Sequence, residues 1–360
     1  MAIPGDMLRL ARQRLGFTQI AAATKLGIPQ PVLSRIESGV AEVDAALLLK
    51  ASSVYSVPQS FFEIQEPVFG PPVSVHAMTR AKADVTAREL DMIAAELNIR
   101  LFHLRWFLDG VDFGPTTDLP SLDVEQYGDP SRIAATVRAH WGVPSGPVKN
   151  VTQLAERAGI IVGMSDFRGA AVSGVTFRAP GKPPLVLLNK HHPADRLRFT
   201  LSHEIGHLVM HRFPTAEMEA EANAFASAFL LPEREIRAAF RGRKITLETL
   251  AALKPEWRVA IQALLMRASG LKLLTANQSR YLWTQISSRG WRTHEPPELD
   301  FAAESPRVLP SIVESHIVHL GYKVEELATM SRLHVSEFIE MYGLPSLEQP
   351  PERPRFRIVS

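Results

Sequence analysis

Five consecutive residues near the middle of the chain, His203-Glu204-Ile205-Gly206-His207, carry types that can do chemistry together. On a helix of 3.6 residues per turn, positions four apart stack on one face, so His203 and His207 can share a metal ion. Glu204 is turned about 100° away, so its carboxylate can hold a water beside the ion rather than bind the ion itself. The apolar residues Phe199, Leu201, Ile205, Leu208 and Val209 recur with helical spacing through the same run, which predicts a buried helix. Twelve residues after His207 a second helical stretch opens, Glu219-Ala-Glu221-Ala-Asn223-Ala-Phe225-Ala. It brings a carboxylate. Two histidines and one carboxylate form a set that holds Zn2+ and leaves a fourth position open for catalysis.

Around this centre the chain reads Asn189, Arg198-Phe-Thr-Leu-Ser-His203-Glu204-Ile-Gly-His207, Glu219-x-x-x-Asn223-x-Phe225-Ala226 and Leu230-Leu231-Pro232. Over roughly residues 121 to 240, these spaced blocks resemble the ImmA/IrrE family of gluzincin-type metallopeptidases. The resemblance implies His203 and His207 as zinc ligands, Glu204 as the base, and Glu219, four residues before Asn223, as third ligand. Asn223, one turn after Glu219, would steady a ligand histidine. Glu221 is the rival carboxylate, about 200° around the helix from Glu219, so both are not expected to face the ion. His211 continues the row of His203 and His207 one turn further. At a rise of about 1.5 Å per residue it is too far away to join them on the metal.

The elements that must position these groups follow from the flanking sequence. Helices are expected over 133–141 and over 150–158, the second capped by Asn150 and stopped by Gly159. The β-rich runs 160–164, 171–177 and 185–188, separated by Gly and Pro, read as strands. Three short strands followed by two metal-carrying helices make an α+β arrangement. One edge of that sheet could hold an extended peptide beside the zinc by strand addition. Residues 121–244 are therefore expected to form a zinc metallopeptidase domain with a small β-sheet, its last helix starting at Pro232.

The N-terminal residues 1–65 have a different character, with five short helices expected between 7 and 62. Leu8, Leu10-Ala11 and Leu15 make an apolar face ended by Gly16; Thr18 caps a helix from Gln19 to Leu26, stopped by Gly27; another runs from Pro29 to Ile36. Two short helices joined by a tight glycine turn have the helix-turn-helix layout. The string Thr18-Gln19-x-x-x-Ala23-x-x-Leu26-Gly27-Ile28, with Leu33-Ser34-Arg35-Ile36-Glu37-Ser38-Gly39, resembles the phage-repressor-like (XRE) helix-turn-helix family. Five basic residues (Arg9, Arg12, Arg14, Lys25, Arg35) and no acid lie between Met7 and Ile36, which predicts a phosphate-facing patch. The resemblance implies that the third helix enters the major groove of a double-stranded DNA operator. Gln30 and Arg35 would then reach base edges, Gln suiting adenine and Arg guanine. Gln19 and Ser34 would touch phosphate. Pro31 departs from the small polar residue common at its position.

Residues 66–120 read as linker and helix. Leu90, Ala94, Leu97, Leu101, Leu104 and Leu108 are spaced 4, 3, 4, 3, 4, a heptad seam that suits either a homodimer contact or a brace packed on its own chain. Residues 245–345 read as a further helical region without assignable chemistry; the segment Val324–Tyr342 has a helix-turn-helix look but no basic face. The Pro-rich tail 346–360 is expected to be disordered. The fold class is thus mainly α with an α+β core. The apolar fraction of 46% and charged fraction of 22% are those of a soluble globular protein, and no apolar run approaches the ~20 residues of a membrane span. With no cysteine, disulfides, thiolate zinc sites and cysteine nucleophiles are excluded, and a cytoplasmic location is expected. The expected function is that of a bacterial DNA-binding regulator whose zinc metallo-endopeptidase domain cuts a repressor-like protein. The alternative is a transcription factor whose zinc domain senses a ligand or partner without turnover.

Overall fold

The apolar spacing of the first sixty residues closes four helices and one 3-10 turn around a small core. These are α1 (Pro4–Arg14), α2 (Gln19–Leu26), α3 (Gln30–Glu37), α4 (Ala45–Tyr55) and the turn Gln59–Glu63. The computed structural model describes residues 4–70, 86–111, 113–167, 172–179 and 181–344; the expected disordered tail and most of the first linker lie outside them. Thr18 Oγ1 accepts from the Ala21 amide and closes the first turn of α2. Gly27 ends α2 at φ +67°, where a side chain would be strained, and this left-handed residue turns the chain into α3. The third helix begins one residue later than its apolar spacing predicts: Pro29 is extended and caps it, with Pro31 in the first turn. Leu8, Leu10, Ala22, Leu26, Leu33, Ile36, Tyr55 and Phe61 fill the core.

Beyond that point the described helices are α5 (Ala87–Asp109), α6 (Val124–Tyr127), α7 (Pro130–His140), α8 (Val151–Arg157), α9 (Ala194–Met210), α10 (Met218–Leu230) and α11 (Glu233–Ala239). They are followed by α12 (Leu247–Trp257), α13 (Ile261–Gly270), α14 (Ala276–Ser288), α15 (Val308–Val318), α16 (Val324–Met330) and α17 (Val335–Tyr342). The strands are β1 (Ile161–Ser165), β2 (Gly174–Phe177) and β3 (Leu185–Asn189). The chain divides into two compact units, one of Met1–Val68, Asn98–Asp112 and Leu309–Ser360, the other of Phe69–Leu97 and Phe113–Val308.

In the first unit, the second half of α5 is gripped by α16 and α17. His103 lies buried between the Tyr342 hydroxyl (2.7 Å) and the Ser331 carbonyl (2.8 Å), and burial pushes its pKa down to about 3. Phe107 meets Tyr342 edge-on at 5.4 Å, and Arg14 of α1 pairs with Glu337 of α17. Leu327, Ala328, Phe338 and Tyr342 of α16 and α17 are buried. Along the heptad seam of α5, Leu97, Leu101 and Leu104 are 1%, 4% and 3% exposed in the single chain, so these positions offer no free surface to a second copy.

In the second unit, β3 is the middle strand, parallel to β1 and antiparallel to β2, which forms an edge. Every residue of β3 is buried, as a run of Leu and Val covered on both faces requires. Helix α9 lies over β2 and β3, and α10 packs between α9 and α7. Buried ion pairs then tie the start of α9 to later sequence. Lys254 of α12 bonds Asp195 at 2.6 Å and Glu295 at 2.8 Å. Arg198, one turn into α9, pairs with Glu304 and donates to the Val148 and Arg258 carbonyls. The stretch read as one helical region, 245–345, is therefore shared between the units: α12 to α14 sit in the second and α16 and α17 in the first.

Two outcomes are expected. Lys254→Met strands two buried carboxylates and should cost about 3–5 kcal/mol, read as a lower thermal midpoint. Leu97→Glu with Leu104→Glu should unfold the chain, seen as lost helical circular dichroism. A folded double variant of smaller mass by light scattering would restore the seam as a dimer contact.

Candidate metal centre

His203 and His207 occupy the last two turns of α9, with their rings 4.6 Å apart and their Nε2 atoms 2.9 Å apart. From the first turn of α10, Glu219 brings Oε1 to 3.2 Å from His207 Nε2 and Oε2 to 3.5 Å from His203 Nε2. Ligand bonds of zinc to nitrogen and oxygen near 2.0–2.1 Å, in a tetrahedron, set neighbouring donors about 3.3 Å apart. The three gaps bracket that value. Among the described residues, His203, His207 and Glu219 are the group of three whose donor atoms converge in this way.

Electrostatics favour a cation at the same point. Burial alone would raise the Glu219 carboxyl, but the His203 and His207 imidazoles outweigh it and hold the pKa down at about 2. Burial works against a charge on His203, yet Glu219 and Glu204 lift its pKa above the ordinary histidine value. Glu204 is fully buried. Its Oε2 accepts from the Thr176 hydroxyl of β2 at 2.6 Å, while its Oε1 is buried with no hydrogen-bond partner. An orphaned carboxylate oxygen beside two histidines and a glutamate is what a water held next to a metal would satisfy. The donor set and the orphan oxygen both fit zinc.

The two helices can approach this closely because Gly206 has no side chain. A Cβ there would stand 3.1 Å from the Phe225 ring of α10. Phe225 stacks on Phe229 at 5.7 Å, and both are fully buried. Of the other sequence-derived positions, Asn223 Oδ1 lies 3.1 Å from His203 Nδ1. Glu221 points elsewhere, to His211 Nε2 at 2.9 Å, and His211 Nδ1 meets His207 Nδ1 at 2.9 Å. Sequence reasoning missed Thr176, because a threonine in a short buried strand looks like any β-branched residue until the strand is laid against α9.

The N-terminal helix-turn-helix shows a second constellation. Arg12 forks onto Glu37 (2.6 and 2.9 Å), Glu37 accepts from Gln19 Nε2 at 2.9 Å, and Gln19 Oε1 accepts from Gln30 Nε2 at 2.8 Å. Gln19 thus braces Gln30 at the start of α3, beyond the phosphate contact expected of it. Pro31, Val32 and Arg35 are the exposed face of α3, with Ser34 half-buried beside them. Val32, passed over in the sequence, suits a thymine methyl. The expected five-cation patch is smaller than predicted, since carboxylates engage three of its members: Arg9 pairs with Asp6, Arg12 with Glu37 and Arg14 with Glu337. Lys25 and Arg35 are the exposed pair.

Each constellation lies in a stretch of chain that is similar to a known family. The helix-turn-helix family pattern matches residues 8–59, and the IrrE N-terminal-like domain of a peptidase family matches residues 155–269. The second match runs past residue 244 and takes in α12 and most of α13. A protein of Cereibacter sphaeroides described as a propionyl-CoA carboxylase regulator is 27% identical over 343 residues, covering 83% of this chain and 72% of that protein. No helix among the described residues is long and apolar enough to cross a membrane.

Elemental analysis of the purified chain is expected to return one zinc, lost in His203→Ala, His207→Ala and Glu219→Ala and retained in Glu221→Ala. Loss in Glu221→Ala with retention in Glu219→Ala would move the third ligand. For DNA, Arg35→Ala should cost about 1–3 kcal/mol and relax preference at one base pair; equal loss on all duplexes would make Arg35 a phosphate contact.

Proposed function

We propose that this chain, which joins a phage-repressor-like helix-turn-helix domain to an IrrE-like metallopeptidase fold, is a cytoplasmic transcriptional regulator that is also a zinc metallo-endopeptidase. The DNA reader is α3, with Gln30 and Arg35 at base edges, Ser34 at phosphate and Gln19 bracing Gln30. The protein substrate is a repressor-like partner. Zinc held by His203, His207 and Glu219 would supply Lewis acidity toward a scissile carbonyl. Glu204 Oε1 takes the proton from the attacking water and returns it to the leaving amine. Thr176 anchors the other oxygen of that carboxylate, so the base presents one defined oxygen to the water. Asn223 accepts from His203 Nδ1 and holds that ring in place.

The edge position of β2 supports an extended substrate. A peptide adding to that edge as a further strand runs along the strand that carries Thr176, and therefore past Glu204. The observation that carries the enzymatic reading is Glu204 itself: a fully buried carboxylate with one anchored oxygen and one orphaned oxygen beside three converging donors. A zinc that only shaped the fold would have no use for it. The other reading is a transcription factor whose zinc domain senses a ligand or partner. It is favoured by the relative, whose likeness spans most of both chains and whose name is that of a regulator. Readers of this kind pair on two-fold operators, and a homodimer of this chain would not be built on Leu97, Leu101 and Leu104 of α5, which are buried within the single chain.

Glu204→Gln separates the two readings. It keeps size, both histidines and Glu219, so the variant should stay folded, zinc-loaded and able to bind its operator. Cleavage of repressors encoded nearby should fall by about 10²–10⁴, the contribution of a positioned base. If Glu204→Gln controls its promoter like the unsubstituted chain while His203→Ala fails, the zinc shapes the protein and the sensor reading stands.

A further inference from the structure

We propose that His211 and Glu221 form a positioning relay that keeps the proton of His207 on Nδ1 and so leaves its Nε2 bare toward the metal. The inference rests on the reading of His203, His207 and Glu219 as zinc ligands. Its geometry is a line of three side chains: Glu221 Oε2 to His211 Nε2 at 2.9 Å, then His211 Nδ1 to His207 Nδ1 at 2.9 Å. The His207 and His211 side chains are 5% and 4% exposed, so water does not substitute for either contact.

Proton placement then follows from what each group can do. An ionised carboxylate only accepts, so His211 carries its proton on Nε2. In a neutral imidazole this leaves the lone pair on Nδ1. That lone pair accepts from Nδ1–H of His207, and His207 Nε2 is left bare where it faces His203 Nε2 and Glu219 Oε1. The opposite arrangement would put a proton on His207 Nε2, the atom that must bind the metal. His203 reaches the same state by a simpler device, its Nδ1–H donating to the Asn223 amide oxygen. The two ligands thus differ. One is backed by a neutral amide, the other by an imidazole with a carboxylate behind it, which makes His207 the more strongly donating ring.

The backbone is built for this contact. Helix α9 ends at Met210, and His211 leaves it in the extended region (φ −109°, ψ 112°) while its amide still bonds the His207 carbonyl. Leaving the helix there swings the His211 ring onto the His207 ring, 5.0 Å away and inclined by 55°. Glu221 arrives from the first turn of α10, two residues after the ligand Glu219. One helical turn supplies both the ligand and the end of the relay.

The test is zinc affinity of the full chain, measured by competition with a chromophoric chelator. His211→Phe keeps the ring's bulk and removes the acceptor; it should weaken zinc about 10- to 100-fold. His211→Gln offers a carbonyl oxygen to His207 Nδ1–H and should recover most of that loss, although it packs less well. A role in packing alone predicts the reverse order, with Phe the milder change. Phe binding zinc like the unsubstituted chain, or Gln binding more weakly than Phe, overturns the relay. Should His211→Phe fail to fold, Glu221 carries the test. Glu221→Ala should weaken zinc about tenfold without loss of one-to-one binding at excess metal, and Glu221→Gln should restore it; unchanged affinity in Glu221→Ala overturns the relay. An unsubstituted chain that takes no zinc at all overturns the metal reading and the relay together, a result unlike either of the others.

Discussion

The contact on which the centre depends is the one between Gly206 and Phe225, where two helices pass at side-chain-free range. His203 and His207 lie on either side of that glycine, and Glu219 precedes Phe225 by under two turns. A Cβ at 206 would press on the Phe225 ring, on the same helix as Glu219, whose oxygens stand 3.2 and 3.5 Å from the two histidines. Helical periodicity stacks the histidines, but only the helix–helix distance brings in the third donor.

The start of α9 is held by a different force. Lys254 between Asp195 and Glu295, and Arg198 beside Glu304, are buried charges, and burial of a charge is costly unless it is well bonded. Their value is in specificity of placement. They tie the entry of α9 to α12 and to the stretch 295–304, far along the chain. The match to the IrrE N-terminal-like domain likewise runs past residue 244, to residue 269.

The N-terminal unit follows the same logic with a polar chain. Arg12, Glu37, Gln19 and Gln30 form one hydrogen-bonded line from the core of the domain to the surface of α3. A buried acid at the end of α3 and an arginine on α1 thereby orient an amide at the opposite end of α3. Charges counted as free cations in the sequence turn out to be structural once their carboxylates are placed, so the electrostatic footprint is narrower than composition implies.

Local rules make much of this protein legible in its sequence. The spacing of His203 and His207, the run Glu219 to Phe225, the capping by Thr18 and Asn150 and the turn at Gly27 each depend on residues within a few positions of one another. Helix geometry and capping act over that range. The three strands and the mainly α class with an α+β core were readable for the same reason. What stayed hidden were pairings between residues far apart in sequence. Thr176 on Glu204, Glu221 on His211, Lys254 on Asp195, Glu37 on Arg12 and Phe107 against Tyr342 are all of this kind. A heptad of leucines looks the same whether it meets its own chain or a second copy, and a carboxylate looks the same whether it meets a metal or an imidazole. Which partner each one meets depends on how helices and strands pack across long sequence separations, and that packing distance is set in the folded chain alone.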